Sequence, residues 1–460
     1  MTAIGNWSGT VRTLPAVVRT PKNVQDVVEI VQDKAACPSP VRPMGNFHST
    51  TRCAEADAGT LIDMTRLNRV LEIGEEFVRV EAGAIYIDVA DELARHGKAF
   101  FVSLEIGNAT LGSIASCATK DGAFPGEFGQ AGAYVTALRI VSARGEVVEI
   151  DESNAGLLAA FRSSYGLLGV VVEVTVRIRP LKPIAVRHEN LSLEAFLKRL
   201  PELKSRNGSL AFYLFPFADR VTVQLRAPAT PDRRLNRIVW RLRNFGVAFG
   251  IPISARAIRL LPWRRLRYRL LDVMLASARG LLSGLLHARN TLPTDQITRY
   301  AHRPRFTRFT FSIFAFPEDR YPDVVRAYAS FCREYFQRHG YRPDLLTVGY
   351  RVTQSRHALL SYSWDGDVMT IDPVALGGPE WERFAAAFSQ FAIAHGGQPL
   401  LNQTPLLDAG QLRQAFGERL DEFLAWRGQL DPEARFLNTH FRDLLDIVLD
   451  PPVPDADPSG

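Results

Sequence analysis

Two stretches of small and turn-forming residues carry the clearest chemistry in this chain. The first is Arg42-Pro43-Met44-Gly45-Asn46-Phe47-His48-Ser49-Thr50, a Pro/Gly turn with a His-Ser pair near its end. The second runs from Ile106 to Thr119 and contains Thr110-Leu111-Gly112-Ser113-Ile114-Ala115-Ser116-Cys117-Ala118. A pyrophosphate requires several backbone N–H groups close to its oxygens. Only segments poor in bulky side chains allow that approach. Two such loops flanking strand-rich sequence imply a large, flat, phosphorylated cofactor held between two lobes.

The elements that must position these loops can be read from length and pattern. At 460 residues the chain exceeds one core, so two or more domains are expected. A hydrophobic content of 46% and a charged content of 23% are those of a globular protein. No apolar run reaches the ~18 residues of a transmembrane helix. The start, Met1 to Ser8, lacks the basic and apolar regions of a signal peptide. The four cysteines (Cys37, Cys53, Cys117, Cys332) are scattered without metal-ligand spacing, which argues against structural zinc and a disulfide scaffold. A cytoplasmic, reducing compartment fits this usage, and no metal site is expected.

Charge is unevenly placed. Between Arg233 and Arg289 there are thirteen Arg, no Lys and one acid, Asp272. Apolar residues such as Ile238, Trp240, Leu242, Phe245, Leu260, Trp263 and Leu270 interleave with them. Such a segment can lie on an anionic membrane, here the inner face. It can equally be a solvated basic face on ordinary helices. No nucleic-acid motif accompanies it.

The period of apolar residues predicts a helix from Asn23 to Cys37 with Asn23 as N-cap, and another from Ile85 to His96 stopped at Gly97. Strands are predicted at Thr60 to Met64, Phe77 to Glu81 and Gly169 to Arg179, with a hairpin from Val135 to Ile150. Pro180 and Pro183 mark a boundary, giving a first domain over 1–182. A second domain over 183–405 includes the Arg-rich stretch 233–289. Its predicted strands are Ala211 to Pro216, Arg220 to Arg226, Phe306 to Phe316, Leu345 to Val352, Ala358 to Trp364 and Val368 to Ile371. Its helices are Tyr321 to His339 and Trp381 to His395. A further helix is predicted from Ala409 to Gly428 within a returning segment 406–450, and the tail 451–460 is expected to be disordered.

Four segments resemble the vanillyl-alcohol-oxidase superfamily of PCMH-type FAD-binding oxidoreductases, nearest its aldonolactone/alditol oxidase and decaprenylphosphoryl-ribose oxidase branch. Arg42 to Ser49 is similar to that family's Gly-x-Gly-His-Ser loop, with Phe47 in place of the second Gly. Thr110 to Ser113 through Ala118-Thr119-Lys120 resembles its Thr-x-Gly-Gly … Ala-Thr-His-Gly segment. Gly166-Leu167-Leu168-Gly169-Val170-Val171 resembles the strand entry beside the flavin. Asp431-Pro432 … Arg435-Phe436-x-Asn438 resembles the C-terminal motif. The start, Asn6-Trp7-Ser8-Gly9, is similar to that of aldonolactone oxidases.

The resemblance implies an α+β fold: a two-lobed FAD-binding domain, a cap domain with an antiparallel sheet and helices, and C-terminal helices returning to the FAD domain. It places FAD against Arg42 to Thr50, Gly107, Thr110 to Ser113, Ala115, Cys117 to Thr119, Val171 and Asn438. At His48 two readings stay open: a covalent bond to the flavin, or a loop histidine beside non-covalent FAD. Cys117 matches a small or Cys position facing the flavin. Lys120 stands where the family has His, and could stabilise an anionic ring or be a plain loop lysine. The cap pair Glu-x-Arg corresponds to Gly349-Tyr350-Arg351, keeping Arg351. The segment His-Trp-Gly-Lys corresponds to Leu400-Leu401-Asn402-Gln403, so a base is replaced by an amide that can orient but not deprotonate.

In function, the resemblance implies hydride transfer from a CH–OH carbon of a polyol, sugar, lactone or related cyclic alcohol to flavin N5. Arg351, Asn402, Gln403, Tyr350 and Lys120 are the expected catalytic set, and O2 or another acceptor takes the electrons. Two alternatives remain: an ene reductase of the same fold, and a catalytically silent FAD- or lipid-binding protein on a membrane.

Overall fold

Strand alternation and helix capping build three main sheets in the computed structural model, which describes residues 2–230, 234–301 and 306–448. Arg233 and the tail 451–460 lie outside the described residues. Among the described residues, one three-stranded parallel sheet joins Val17–Arg19, Thr60–Asp63 and Val41–Met44. The helix Val24–Gln32 follows the first of these strands and meets Val135–Val141 of the second lobe. Asn23 caps it by accepting from the Asp26 amide, and Val27 and Val31 are fully buried. Each such side chain contributes about 1.5–3 kcal/mol. The helix stops at Asp33, short of Cys37, because the chain turns there.

A second lobe is an antiparallel six-stranded sheet centred on Val170–Pro180. Its neighbours are Val135–Val141, which hairpins to Val147–Asp151, and Phe77–Glu81 beside Val70–Ile73. Lys98–Phe100 extends the far end of the central strand. Tyr86–Arg95 is helical, and Gly97 takes the left-handed conformation that follows it (φ 68°).

The third sheet has nine strands, all antiparallel, beginning at Ile184. Arg220–Pro228, Ser209–Phe215, Thr347–Val352 and Val368–Ala375 form its middle. Period-two alternation divides them. Phe212, Leu214, Val221 and Val223 point to a core shared with the helices Leu193–Ser205 and Tyr321–His339. Ala211, Tyr213, Val348 and Tyr350 lie on the opposite face. The chain is thus α+β, with two sheet lobes and a roofing sheet.

Three predicted elements differ. Ala358 to Trp364 is not a strand: Leu359 donates its amide to Ala159, and Arg419 donates to the Leu359 and Ser361 carbonyls. Those groups are satisfied by distant partners rather than by a ladder. Ala409 to Gly428 splits into Ala409–Phe416 and Glu418–Leu430, because Gly417 adopts φ 51° and ψ −131°. Phe306 to Phe316 holds only the short strands Thr310–Phe311 and Phe314–Pro317.

The C-terminal segment is locked onto the first lobe. The Asp431 carboxylate accepts from the Arg435 and Phe436 amides. Arg435 donates to the Ile30 and Val31 carbonyls, and Asn438 donates to Arg52, Cys53 and Glu55 carbonyls. Arg42, 1% exposed, donates to the carbonyls of Cys53, Tyr165, Gly166 and Phe436. Replacing Arg42 by Met strands these buried acceptors at about 1–3 kcal/mol each. The variant should lose at least ~3 kcal/mol in urea unfolding; a midpoint within error of the parent would refute the clamp.

Candidate active site

The two glycine-bearing loops meet the roofing sheet around a cavity of about 360 Å³. One wall is made of small residues, among them Gly45, Ala82, Ala109, Gly112 and Gly169, which leave backbone accessible. Gly45 is required by a close approach: a Cβ there would collide with Thr110 Oγ1. The loops therefore touch, and their backbones line one continuous slot. This fits a dinucleotide cofactor, whose pyrophosphate takes N–H donors from bare backbone.

Of the residues assigned to the cofactor from sequence, Arg42 to Ser49, Thr110, Gly112, Ser113, Cys117, Thr119 and Val171 line the cavity. Thr50, Gly107, Leu111, Ala115, Ala118 and Asn438 do not. Leu111 and Ala115 turn into the core. Gly107 packs against Ile87 and Ile297, Ala118 gives its carbonyl to Asn402, and Asn438 is consumed by the C-terminal lock. Thr50 donates its amide to the Asn402 carbonyl. His48 lines the cavity with its ring stacked on Trp7 at 5.2 Å. Cys117 lines it too, and burial pushes its thiol well up, so it is a neutral small residue there.

Arg351 is the main correction. Adjacent strand residues face opposite ways, so where Tyr350 looks into the cavity, Arg351 looks out. Its guanidinium pairs with Glu318 at 2.5 Å and Asp367 at 2.7 Å, and it does not line the cavity. Tyr350, Lys120, Asn402 and Gln403 do line it. Asn402 Oδ1 is buried without a hydrogen-bond partner, an acceptor free for a ligand N–H or O–H.

Sequence reasoning named Lys120 and Tyr350 but missed their charged partners Asp372, Glu105 and Arg243. Lys120 forms an ion pair with Asp372 at 2.6 Å and sits 4.0 Å above the Tyr350 ring. The Tyr350 hydroxyl donates to Glu105 at 3.1 Å, and Arg243 donates to the other Glu105 oxygen at 2.8 Å. Burial alone would raise the Glu105 carboxyl, but Arg243, Tyr350 and Lys120 together hold it below the usual carboxylate range. Burial, then the Glu105 charge, pushes the Tyr350 phenol well up, so Tyr350 is a donor and not a base. Burial pushes Asp372 up to about 6, against the pull of Lys120. Asp121, next to Lys120, pairs with buried Arg226 at 2.6 Å and fixes this loop to the cap. A charged residue inside the apolar strand around Asp372, and another between Leu104 and Ile106, were the available signals. Arg243 carried none among its twelve Arg companions.

A two-lobed slot for a dinucleotide, closed by a sheet with charged groups over it, defines an FAD-dependent oxidoreductase. An FAD binding domain profile matches residues 15–151, and the D-arabinono-1,4-lactone oxidase profile matches residues 174–444. The chain belongs to the D-arabinono-1,4-lactone oxidase family. It is similar to L-gulono-1,4-lactone dehydrogenase of Mycobacterium tuberculosis, with 26% identity over 446 residues, 96% of this chain and 98% of that one. It also matches L-gulonolactone oxidase of Mus musculus, with 28% identity over 221 residues, 47% of this chain and 50% of that one. Among solved structures, cholesterol oxidase from B. sterolicum shares the fold, with a TM-score of 0.77, 16% identity and 96% coverage of both chains.

The cofactor is FAD, and the loop contact at Gly45 should decide its retention. Gly45→Ala should lower FAD affinity at least tenfold, read from visible absorbance after gel filtration. Gly156→Ala, which meets no atom within 4 Å, should leave it unchanged. Equal flavin content in both would refute the role of the contact.

Proposed function

We propose that this oxidoreductase oxidises a ring CH–OH group of a sugar lactone or related cyclic polyol, with residues 1–182 holding FAD and 183–405 forming the cap. The observation that carries this is the paired Lys120–Asp372 and Tyr350–Glu105–Arg243 cluster over the cofactor slot. Whole-length similarity to a lactone dehydrogenase supports the substrate class.

Bound FAD supplies the two-electron acceptor for the substrate hydride. Asp372 takes the substrate hydroxyl proton, since a base titrating near the working pH is efficient. Lys120 keeps that carboxylate charged and near. The Asn402 oxygen and the Gln403 amide orient the substrate or the flavin edge. Glu105, neutralised by Arg243, fixes the Tyr350 hydroxyl. His48, on the cavity wall, is the residue through which a covalent flavin bond would run. Water is kept out by the aromatic cluster of Trp7, Tyr300 and Phe309 beside it.

Anaerobic addition of L-gulono-1,4-lactone or D-arabinono-1,4-lactone should bleach the flavin band, while NADPH should not. The carboxylate is the active form, so kcat/KM should rise with pH through about 6 and then level. Asp372→Asn should lower kcat/KM by about 10²- to 10⁴-fold and flatten that rise. Arg351→Ala should keep bleaching. A pH rise preserved in Asp372→Asn would exclude Asp372 as the base.

The enzyme also binds an anionic membrane peripherally through the Arg-rich segment. Among the described residues no helix is long and apolar enough to cross a membrane. What supports surface binding is a set of helices, Arg237–Phe245, Ile251–Arg259 and Arg264–Leu286, with exposed apolar residues. Ile238, Leu242 and Phe245 are 71%, 61% and 64% exposed on one helical stripe, with Arg241 beside them. Leu260, Trp263, Arg264, Arg265 and Arg269 are exposed further along. Phosphatidylglycerol vesicles should co-sediment with the enzyme and phosphatidylcholine vesicles should not. Replacing Arg264 and Arg265 should cost about 1 kcal/mol each; equal binding to both vesicle types would refute the assignment.

A further inference from the structure

The long helix Arg264–Leu286 has two apolar stripes. Leu275, Ala278 and Leu286 point inward and line the active-site cavity. Leu266, Leu270, Val273, Leu281 and Leu285 point outward and are 37–63% exposed. A surface helix ordinarily turns a polar face to water, and an all-round apolar one sits in an apolar phase. Here the inner face packs only in part: Tyr268 and Leu271 cluster with Ala255 and Leu376, and Leu286 with Ile184, Val186 and Trp240. It walls an arm of the same cavity that holds the Lys120–Asp372 pair.

The chemistry of the arm contrasts with that of the head. Around Lys120, Asp372, Glu105, Tyr350 and Arg243 the cavity is charged. Beyond it the wall carries His188, Thr222, Gln224 and Ser283 together with an apolar set, Phe215, Val247, Ile251, Pro252, Leu275 and Leu286. Arg279 reaches this wall, but its guanidinium lies over the Phe215 ring at 5.5 Å. A free sugar lactone reaching the apolar set would place hydroxyls against it, and each unpaired hydroxyl costs free energy on burial. A hydrocarbon chain would release water from them.

We infer that the substrate is an amphiphile, whose hydroxyl-bearing ring sits at Lys120 and Tyr350 while a hydrocarbon tail fills the apolar arm along Leu275, Ala278 and Leu286. This rests on the CH–OH oxidation reading and narrows its substrate class. It also gives the outer stripe a reason: a lipid-borne substrate enters from the surface that the helix touches.

The test uses FAD-loaded enzyme and butyl, hexyl and octyl β-D-glucopyranosides below their micelle concentrations. Binding is read from the perturbation of the flavin visible band. Each added methylene is expected to tighten Kd about fourfold, so octyl should bind roughly 15-fold tighter than hexyl. Ala278→Phe, which fills the arm, should flatten the series while keeping butyl affinity; Leu281→Ser on the outer stripe should leave the series steep. A flat series in the unsubstituted enzyme overturns the inference, even where a free lactone bleaches the flavin and so upholds the oxidation reading. A series equally steep in Ala278→Phe also overturns it, as tail binding elsewhere. A steep series that Ala278→Phe flattens supports the arm even if no alcohol or lactone reduces the flavin, and in that case the oxidation reading fails alone.

Discussion

The buried Arg42 guanidinium is the constraint on which the site depends. It is a cation with no carboxylate within hydrogen-bond reach, held instead by backbone carbonyls of three chain regions. Burial lowers its pKa to about 10, which still leaves it charged at neutral pH. A buried charge must be satisfied or its cost is several kcal/mol. The carbonyls of Cys53, Tyr165, Gly166 and Phe436 therefore have to converge, and with them the cofactor loop, the entry to the central strand and the C-terminal segment. The C-terminal motif from Asp431 to Asn438 completes the same knot from the other side, because Asp431 and Asn438 satisfy backbone groups that would otherwise be stranded. Cofactor-loop geometry is thus set by groups held in backbone hydrogen bonds.

The second constraint is the two-residue period of a strand. On Thr347–Val352 it assigns Tyr350 to the cavity and Arg351 to an ion-pair cluster with Glu318 and Asp367. A shift by one residue would exchange them. The same rule places Tyr213 beside Val348 on the cavity face and Phe212 beside Gly349 in the core. At Gly349 a side chain would collide with the Phe212 ring, so that position is closed by packing. Negative charge beside Tyr350 is supplied by Glu105, from the FAD-binding side, and its countercharge comes from Arg243.

Legibility followed locality. Asn23 as an N-cap and Gly97 as a left-handed stop were readable because each acts within a few residues. The loops at Gly45 and Gly112 were readable because close backbone approach leaves a compositional trace. Arg243 was not, since thirteen Arg in one stretch look alike until one of them is 8% exposed and bonded to Glu105. The Lys120–Asp372 pair was not, because it joins a loop to a strand 252 positions later, taking the difference of the two residue numbers. The segment Ala358 to Trp364 has strand-like composition but finds its hydrogen bonds on Ala159 and Arg419. Tertiary context overrode local pattern there.

The Arg-rich insertion unites these observations. Its first helix sends Arg243 inward to neutralise Glu105 while Ile238, Leu242 and Phe245 remain outside. Its last helix walls the cavity with one stripe and leaves another exposed. A segment kept only for solubility would need neither the inward Arg nor two apolar stripes. A segment kept only for membrane contact would need no residue at the reacting end. Because one helix carries both stripes, the proposed seating of its outer face on lipid acts on the same helix that walls the cavity. Arg243, on the first helix of the same segment, pairs with Glu105, so the electrostatics of the cavity depend on a segment outside both sheet lobes.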